Sequence, residues 1–131
     1  MNDRLKKSEI TPQDAQQLLS AMEMASERFI GCLKSDRRVK MPDIERITLQ
    51  ELRSKKRIME YIYSRMIFAH HFSQSHTLTA IARFLNLKSH ATVANYLQNY
   101  ESDFLYVSGF RKYSWEVTRL MRTNKETNGE E

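Results

Sequence analysis

The apolar residues of this chain recur at the spacing of an α-helix over most of its length. In the first third they follow the i, i+3, i+4, i+7 pattern of a helix that buries one face. Thr11 is a good N-cap, Pro12 suits the first turn, and Asp14 interacts favourably with the positive end of the helix dipole. We therefore predict a first helix from Thr11 to about Leu33. Its predicted buried positions are Leu18, Leu19, Met22, Ala25, Phe29, Ile30 and Leu33.

Two more helices are predicted before residue 73. Charged residues and a proline interrupt the pattern over residues 35–43, which indicates a basic loop. A shorter helix follows at about residues 48–56, with Leu49 and Leu52 directed inward. Residues 58–72 are strongly apolar at helical spacing, so we predict the central helix of the core there. The aromatic residues expected to enlarge this core or line its edge are Tyr61, Tyr63 and Phe68.

Residues 77–100 contain two short helical segments joined by a tight turn. Thr77 is an N-cap for the first segment, and Asn86 tolerates the left-handed backbone that ends it. Ser89 is an N-cap for the second segment, and the small residue Ala82 lies where the two helices must approach closely. The predicted buried seam of the second segment is Val93, Leu97, Tyr100 and Phe104. This is the helix-turn-helix pattern, although such a corner also occurs in helical proteins that do not bind DNA.

The last part of the chain carries more apolar surface than a tail needs. Gly109 is predicted to mark a turn before a further amphipathic helix, which should pack on the first helix. Residues 1–10 and 123–131 are polar and are predicted to be tails. The pattern therefore predicts a single all-α domain over residues 11–122, a small helical bundle without a sheet.

Composition and charge add a possible partner to this picture. The 131 residues suit one domain, and the formal net charge is +5. Residues 28–57 hold ten Lys or Arg residues against four acids, and no carboxylate occurs between Glu60 and Glu101. A positive middle segment permits a nucleic acid partner, and the alternative is a set of solvated helix faces.

Several other classes of protein are not expected. With three glycines and no Gly-rich phosphate loop, we expect no nucleotide binding. No apolar run is long enough for a membrane span, no signal peptide is evident, and Cys32 has no partner cysteine, which favours the cytoplasm.

The four histidines do not form a convincing catalytic or metal site. His70 and His71 are adjacent on a predicted helix, so their side chains point about 100° apart, and no thiolate or carboxylate joins them and His76. No acid lies within this segment to orient a histidine base. We expect no metal, no cofactor and no enzymatic activity.

Residues 78–93 also carry a resemblance to a known family. They are Leu78-Thr79-Ala80-Ile81-Ala82-Arg83-Phe84-Leu85-Asn86-Leu87-Lys88-Ser89-His90-Ala91-Thr92-Val93. This stretch resembles, without gaps, the signature L-P-E-I-G-x-x-F-G-G-R-D-H-T-T-V of the C-terminal DNA-binding domain of the bacterial replication initiator DnaA. Residues 49–57 are similar to that family's D-L-x-S-K-x-R segment, so the resemblance covers roughly residues 45–105. It implies a Trp-repressor-like helix-turn-helix that places its second helix in the major groove of DNA.

The resemblance assigns roles to the residues at the start of that second helix. It places Lys88 on the signature Arg, Ser89 on its Asp, His90 on its His, Ala91 on the first Thr and Thr92 on the second. Ser89, His90 and Ala91 are therefore expected to contact base edges, with Lys88 and Thr92 nearer phosphate. Ser89 and Ala91 depart from the family pattern, so the DNA site need not be the family's repeat.

Further positive residues are expected to contact phosphates. These are Arg83, Lys55, Lys56 and Arg57. For the last three, the alternative is a solvated helix end whose charges are favoured by the helix dipole.

The expected function is sequence-preferring binding of double-stranded DNA by a protein that lacks the initiator's ATPase domain. It would serve as a replication-initiation accessory or as a transcriptional regulator. A mobile element is one expected source of its gene. The expected location is the bacterial cytoplasm, on the nucleoid. Other replication or regulatory proteins are further expected partners. The alternative is a helical protein-interaction module in which the same corner docks a partner, using many exposed tyrosines.

Overall fold

The computed structural model describes residues 6–37, 48–54 and 59–129, and over these residues it is all-helical. The helices are α1 (Pro12–Arg37), α2 (Leu49–Leu52), α3 (Met59–Phe72), α4 (Leu78–Phe84), α5 (His90–Tyr106) and α6 (Ser108–Gly129). The described residues form no strand, and their only β-type pairing is an isolated bridge between Lys7 and His76. The predicted all-α class is confirmed for this part of the chain. None of these helices combines the length and hydrophobicity that crossing a bilayer requires.

Helix α1 begins with the predicted cap. The amide of Asp14 donates to Thr11 Oγ1 at 3.1 Å, and the amide of Thr11 donates to Asp14 Oδ2 at 3.0 Å. The helix continues to Arg37, four residues beyond the predicted end and into the predicted basic loop. Lys and Arg are good helix formers, so a run of charge does not by itself end the helix.

Helix α2 is shorter than predicted, because it ends at Leu52 instead of near residue 56. The guanidinium of Arg65 donates from Nε to Leu52 O at 2.8 Å and from Nη2 to Ser54 O. These carbonyls would otherwise accept the next hydrogen bonds of a continuing helix. A side chain from α3 therefore replaces the helical partners at this end.

Helix α3 is the centre of the core, as predicted. From Tyr61 to Ala69, every side chain except Ile62 is buried. A helix that is buried on all sides must be covered by several neighbours. Helices α1, α2, α4 and α5 all contact α3 and supply this cover.

Helix α6 packs on α1, which confirms the predicted contact between the first and last helices. Its side chains Phe110, Tyr113 and Val117 join the hydrophobic core. The predicted turn at Gly109 is wrong, because the break falls at Val107, the C-cap of α5. Gly109 is buried in the first turn of α6, and no described glycine has a positive φ.

The two predicted tails differ from the described structure. The amide of Lys7 donates to Ser75 O, and the amide of Thr77 donates to Lys7 O, each at 2.9 Å. Ile10 is buried in the core. Residues 6–10 are therefore attached to the turn between α3 and α4. At the other end, α6 continues helically to Gly129, since a polar sequence without proline can remain helical.

Candidate nucleic-acid interface

The turn between α4 and α5 is set by Asn86. Its φ is +61°, the left-handed conformation that was predicted there. The amide of Leu87 donates to Ala82 O at 2.8 Å, and that of Asn86 donates to Arg83 O at 3.2 Å. These two bonds form a Schellman motif, which ends α4 and redirects the chain.

The N-terminal caps of both helices are confirmed. Thr77 Oγ1 accepts from the amide of Ala80 at 3.1 Å, and Ser89 Oγ accepts from the amide of Ala91 at 3.0 Å. Val93 is fully buried, which holds the start of α5 against the core. The rest of the predicted seam is also confirmed, with Tyr100 buried and Leu97 and Phe104 packed against the core. Five residues, 85–89, thus join two capped helices that contact each other.

The structure brings the predicted base-contacting residues together at the N-terminal end of α5. Ser89, His90 and Ala91 are exposed there, and Lys88 is exposed immediately before them. Thr92 is half-buried beside the same end. The hydroxyl of Ser89 accepts one hydrogen bond from its own helix and keeps its proton to donate.

Among the predicted phosphate contacts, Arg83 is exposed in the last turn of α4, five residues before Lys88. Lys55, Lys56 and Arg57 lie outside the described residues. The described positive charge near the start of α5 therefore comes from Arg83 and Lys88.

Two arginines that the sequence pattern did not single out anchor the α2 segment, Arg53 to α4 and Arg65 to α3. Arg53 Nε donates to Phe84 O at 2.8 Å, and its guanidinium carbon lies 4.4 Å from the centre of the Phe84 ring. Arg65 is only 3% exposed and binds the backbone of α2. Its charge, which belonged to the predicted positive segment, is thus directed to carbonyls and not to solvent. An arginine within the otherwise apolar α3 pattern is the signal that could have identified this role.

A groove of 620 Å³ lies between α3 and α5, beside the predicted site. Its lining includes Lys88, Thr92, Asn95, Asn99 and Asp103. The two asparagines are exposed and lie one helical turn apart on α5. They were not singled out from the sequence, although their spacing of four residues was visible there.

The histidines outside the motif belong to the packing of α3 and its neighbours. The ring of His70 stacks on that of Tyr100, with centroids 3.9 Å apart. Burial lowers the pKa of both His70 and His71 below the ordinary value. Glu101 opposes this shift at His70, whereas His70 and His76 add to it at His71. No group of three metal-ligating side chains occurs in the part of the chain that the structure describes.

The surroundings of His76 predict that acid destabilises the fold. Its side chain is buried, Nδ1 lies 2.7 Å from Ser75 Oγ, and Nε2 has no hydrogen-bond partner within the described residues. Burial lowers the pKa of His76, with Asp14 opposing and Lys7 adding to the shift. A histidine with a lowered pKa binds its proton more readily in the unfolded chain, so folding loses stability as the pH falls below the unfolded value of about 6.5.

We therefore expect the melting temperature to be constant between pH 8 and 7 and to fall between pH 6.5 and 5.5. The melting temperature of the His76→Gln variant should fall less on acidification than that of the wild type, because the variant lacks one of the three histidines whose pKa is lowered. Circular dichroism melts at several pH values measure both effects. An equal melting temperature for the wild type at pH 7.5 and pH 5.5 would contradict this prediction.

A scan against protein-family models and searches of curated proteins and of solved structures found no significant match to this chain. The assignment of a function therefore depends on the residues and their geometry.

Proposed function

We propose that this protein binds double-stranded DNA, with a preference for particular sequences, through the N-terminal half of α5. The observation that carries the proposal is the composition of that exposed helix end. It combines small and polar side chains at Ser89, His90 and Ala91 with the flanking charges of Arg83 and Lys88.

Affinity in this proposal comes from attraction to phosphates. The N-terminus of α5 carries the positive end of the helix dipole, and Lys88 and Arg83 add full charges beside it. No carboxylate occurs anywhere from residue 61 to residue 100. Of the described residues that line the groove beside Lys88, only Asp103 is acidic, and it lies in the second half of α5. A polyanion at the start of α5 therefore meets no adjacent acid among these residues.

Sequence preference comes from the side chains that the helix end presents. The Ser89 hydroxyl can donate to a base edge, and the imidazole of His90 can donate or accept according to its tautomer. The Ala91 methyl suits contact with a thymine methyl. The helix-turn-helix pattern and the resemblance to the DnaA C-terminal domain support the same orientation, with the second helix in the major groove.

In this role the protein would act as an accessory of replication initiation or as a transcriptional regulator. It would work by occupying DNA on the bacterial nucleoid, with other replication or regulatory proteins as partners and without a catalytic step of its own.

The alternative, a corner that docks a partner helix, was based partly on exposed tyrosines, and that part of the prediction is wrong. Of the six tyrosines, four are buried and Tyr96 is half-buried in the groove beside the corner. The buried ones are Tyr61, Tyr63, Tyr100 and Tyr113. Tyr106 is exposed, but it lies at the C-terminal end of α5, away from the corner. At the corner itself the exposed side chains of Asn86, Lys88, Ser89 and His90 are polar or charged.

Selection of bound duplexes from a random pool, followed by affinity measurements on the preferred and on a random duplex, tests the proposal. His90→Ala should weaken the binding free energy for the preferred duplex by about 1–3 kcal/mol and that for the random duplex much less, because a lost base contact removes discrimination. Lys88→Ala should weaken both by a similar factor. Ser20→Ala, at an exposed position on α1, is the matched control and should change neither.

Two results would count against the proposal. If no duplex is enriched and binding is absent, DNA is not the partner, and the docking alternative takes its place. If His90→Ala keeps the full ratio of preferred to random affinity, the N-terminal end of α5 is not the recognition surface.

A further inference from the structure

We infer that Asn95 is a specificity-determining residue that recognises an adenine in the major groove, from the outward face of α5. This inference rests on the proposed DNA binding and extends it beyond the residues at the helix start. It follows from the direction of the buried seam, the distribution of acids along α5, and the hydrogen-bonding capacity of a carboxamide.

The buried seam fixes which side of α5 faces outward. Val93 and Tyr100 point into the core. At about 100° per residue, the side opposite Val93 carries Ala91, Asn95 and Ser102. All three are exposed, so the structure agrees with this geometry, and Asn95 also borders the groove between α3 and α5.

Asn95 is the first side chain on this outward line that can form several hydrogen bonds. Ala91 precedes it on the same line, and a methyl group lets the helix approach base edges closely. Asn95 follows one turn later, about 6 Å along the axis. Its carboxamide forms no hydrogen bond with any described residue, so both its donors and its acceptor are available.

The charges along α5 limit how far DNA contact extends. From His90 to Tyr100 the helix has no carboxylate, whereas Glu101 and Asp103 follow in its second half. A phosphate backbone would be repelled by these acids, so DNA contact is favoured only over the first three turns. Asn95 lies within those turns, and Ser102 lies beyond them, next to Glu101.

The carboxamide group determines which base is recognised. In the major groove adenine presents the N7 acceptor next to the N6 donor, which matches the donor and acceptor of one carboxamide. Guanine presents two acceptors at the corresponding positions, so it can pair with the amide nitrogen of the carboxamide but not with its oxygen. The hydroxyl, imidazole and methyl groups at the helix start do not form this bidentate pair. Adenine is therefore the base expected opposite Asn95.

Parallel selections from a random duplex pool with the wild type, Asn95→Ala and Ser102→Ala test the inference. The wild-type site should contain an adenine whose preference is lost in Asn95→Ala and retained in Ser102→Ala. At that position, other bases should bind the wild type about 5- to 150-fold more weakly than adenine. Replacing this adenine by 7-deazaadenine, which lacks the N7 acceptor, should weaken the wild type and leave Asn95→Ala unaffected. Circular dichroism melts check that the exposed substitutions leave the fold intact.

The possible failures are distinguishable. If Asn95→Ala keeps every base preference of the wild type, or loses the preference for a base other than adenine, the role of Asn95 is overturned. DNA binding itself is left in place by either result. A wild type without any preferred duplex overturns the proposed sequence preference together with this inference.

Discussion

Replacing Tyr113 by alanine should lower the free energy of unfolding by about 3–5 kcal/mol, the usual cost of removing a large buried aromatic side chain. Tyr113 is fully buried in α6, and its hydroxyl lies 2.7 Å from the hydroxyl of Ser64 in α3. The substitution thus removes both core packing and a buried hydrogen bond. Because small domains are stable by only about 5–15 kcal/mol, this loss is a large fraction of the total.

Trp115→Ala is the matched control on the same helix. Trp115 is 60% exposed, and its ring lies at a steep angle to that of Phe104, with centroids 5.9 Å apart. The substitution should lower the free energy of unfolding by no more than about 1 kcal/mol. Urea unfolding followed by circular dichroism measures both variants. Equal costs for the two would show that α6 does not pack into the core in solution.

Reversing the charges of Arg83 and Lys88 to glutamate together should weaken binding to every duplex by about 100-fold. Each reversal replaces an attraction of about 1 kcal/mol by a repulsion of similar size, and salt screens part of this change. The slope of log affinity against log salt concentration should also become shallower, by the amount expected for the loss of about two phosphate contacts. Fluorescence anisotropy over a salt series measures both quantities.

The double variant Lys112→Glu with Arg122→Glu provides a control with the same change in net charge. Both residues are exposed on α6, outside the segment that forms the two-helix motif. This control should weaken binding far less than the Arg83 and Lys88 pair. Equal effects from the two pairs would mean that net charge alone governs binding and that the start of α5 has no special role.

The proposed site could be located from the sequence because the features that define it are local. The caps at Thr77 and Ser89 and the left-handed Asn86 each involve partners within five residues along the chain. The outward face of α5 was harder to predict. Asn95 becomes a candidate only once the direction of the seam through Val93 is known together with the exposure of its neighbours.

The sequence by itself determined the all-α class, the starts of the first five helices and the central position of α3, because helical periodicity and capping depend on near neighbours. The tertiary structure decided the features whose partners are distant along the chain. Arg65 ends α2 from 13 residues away, and Arg53 binds Phe84 across 31 residues. Likewise, Lys7 pairs with the backbone of Ser75 and Thr77, which makes part of a polar tail a fixed segment. Periodicity contains no information about such contacts, since a long polar side chain or a free backbone group finds its partner only when the helices have packed.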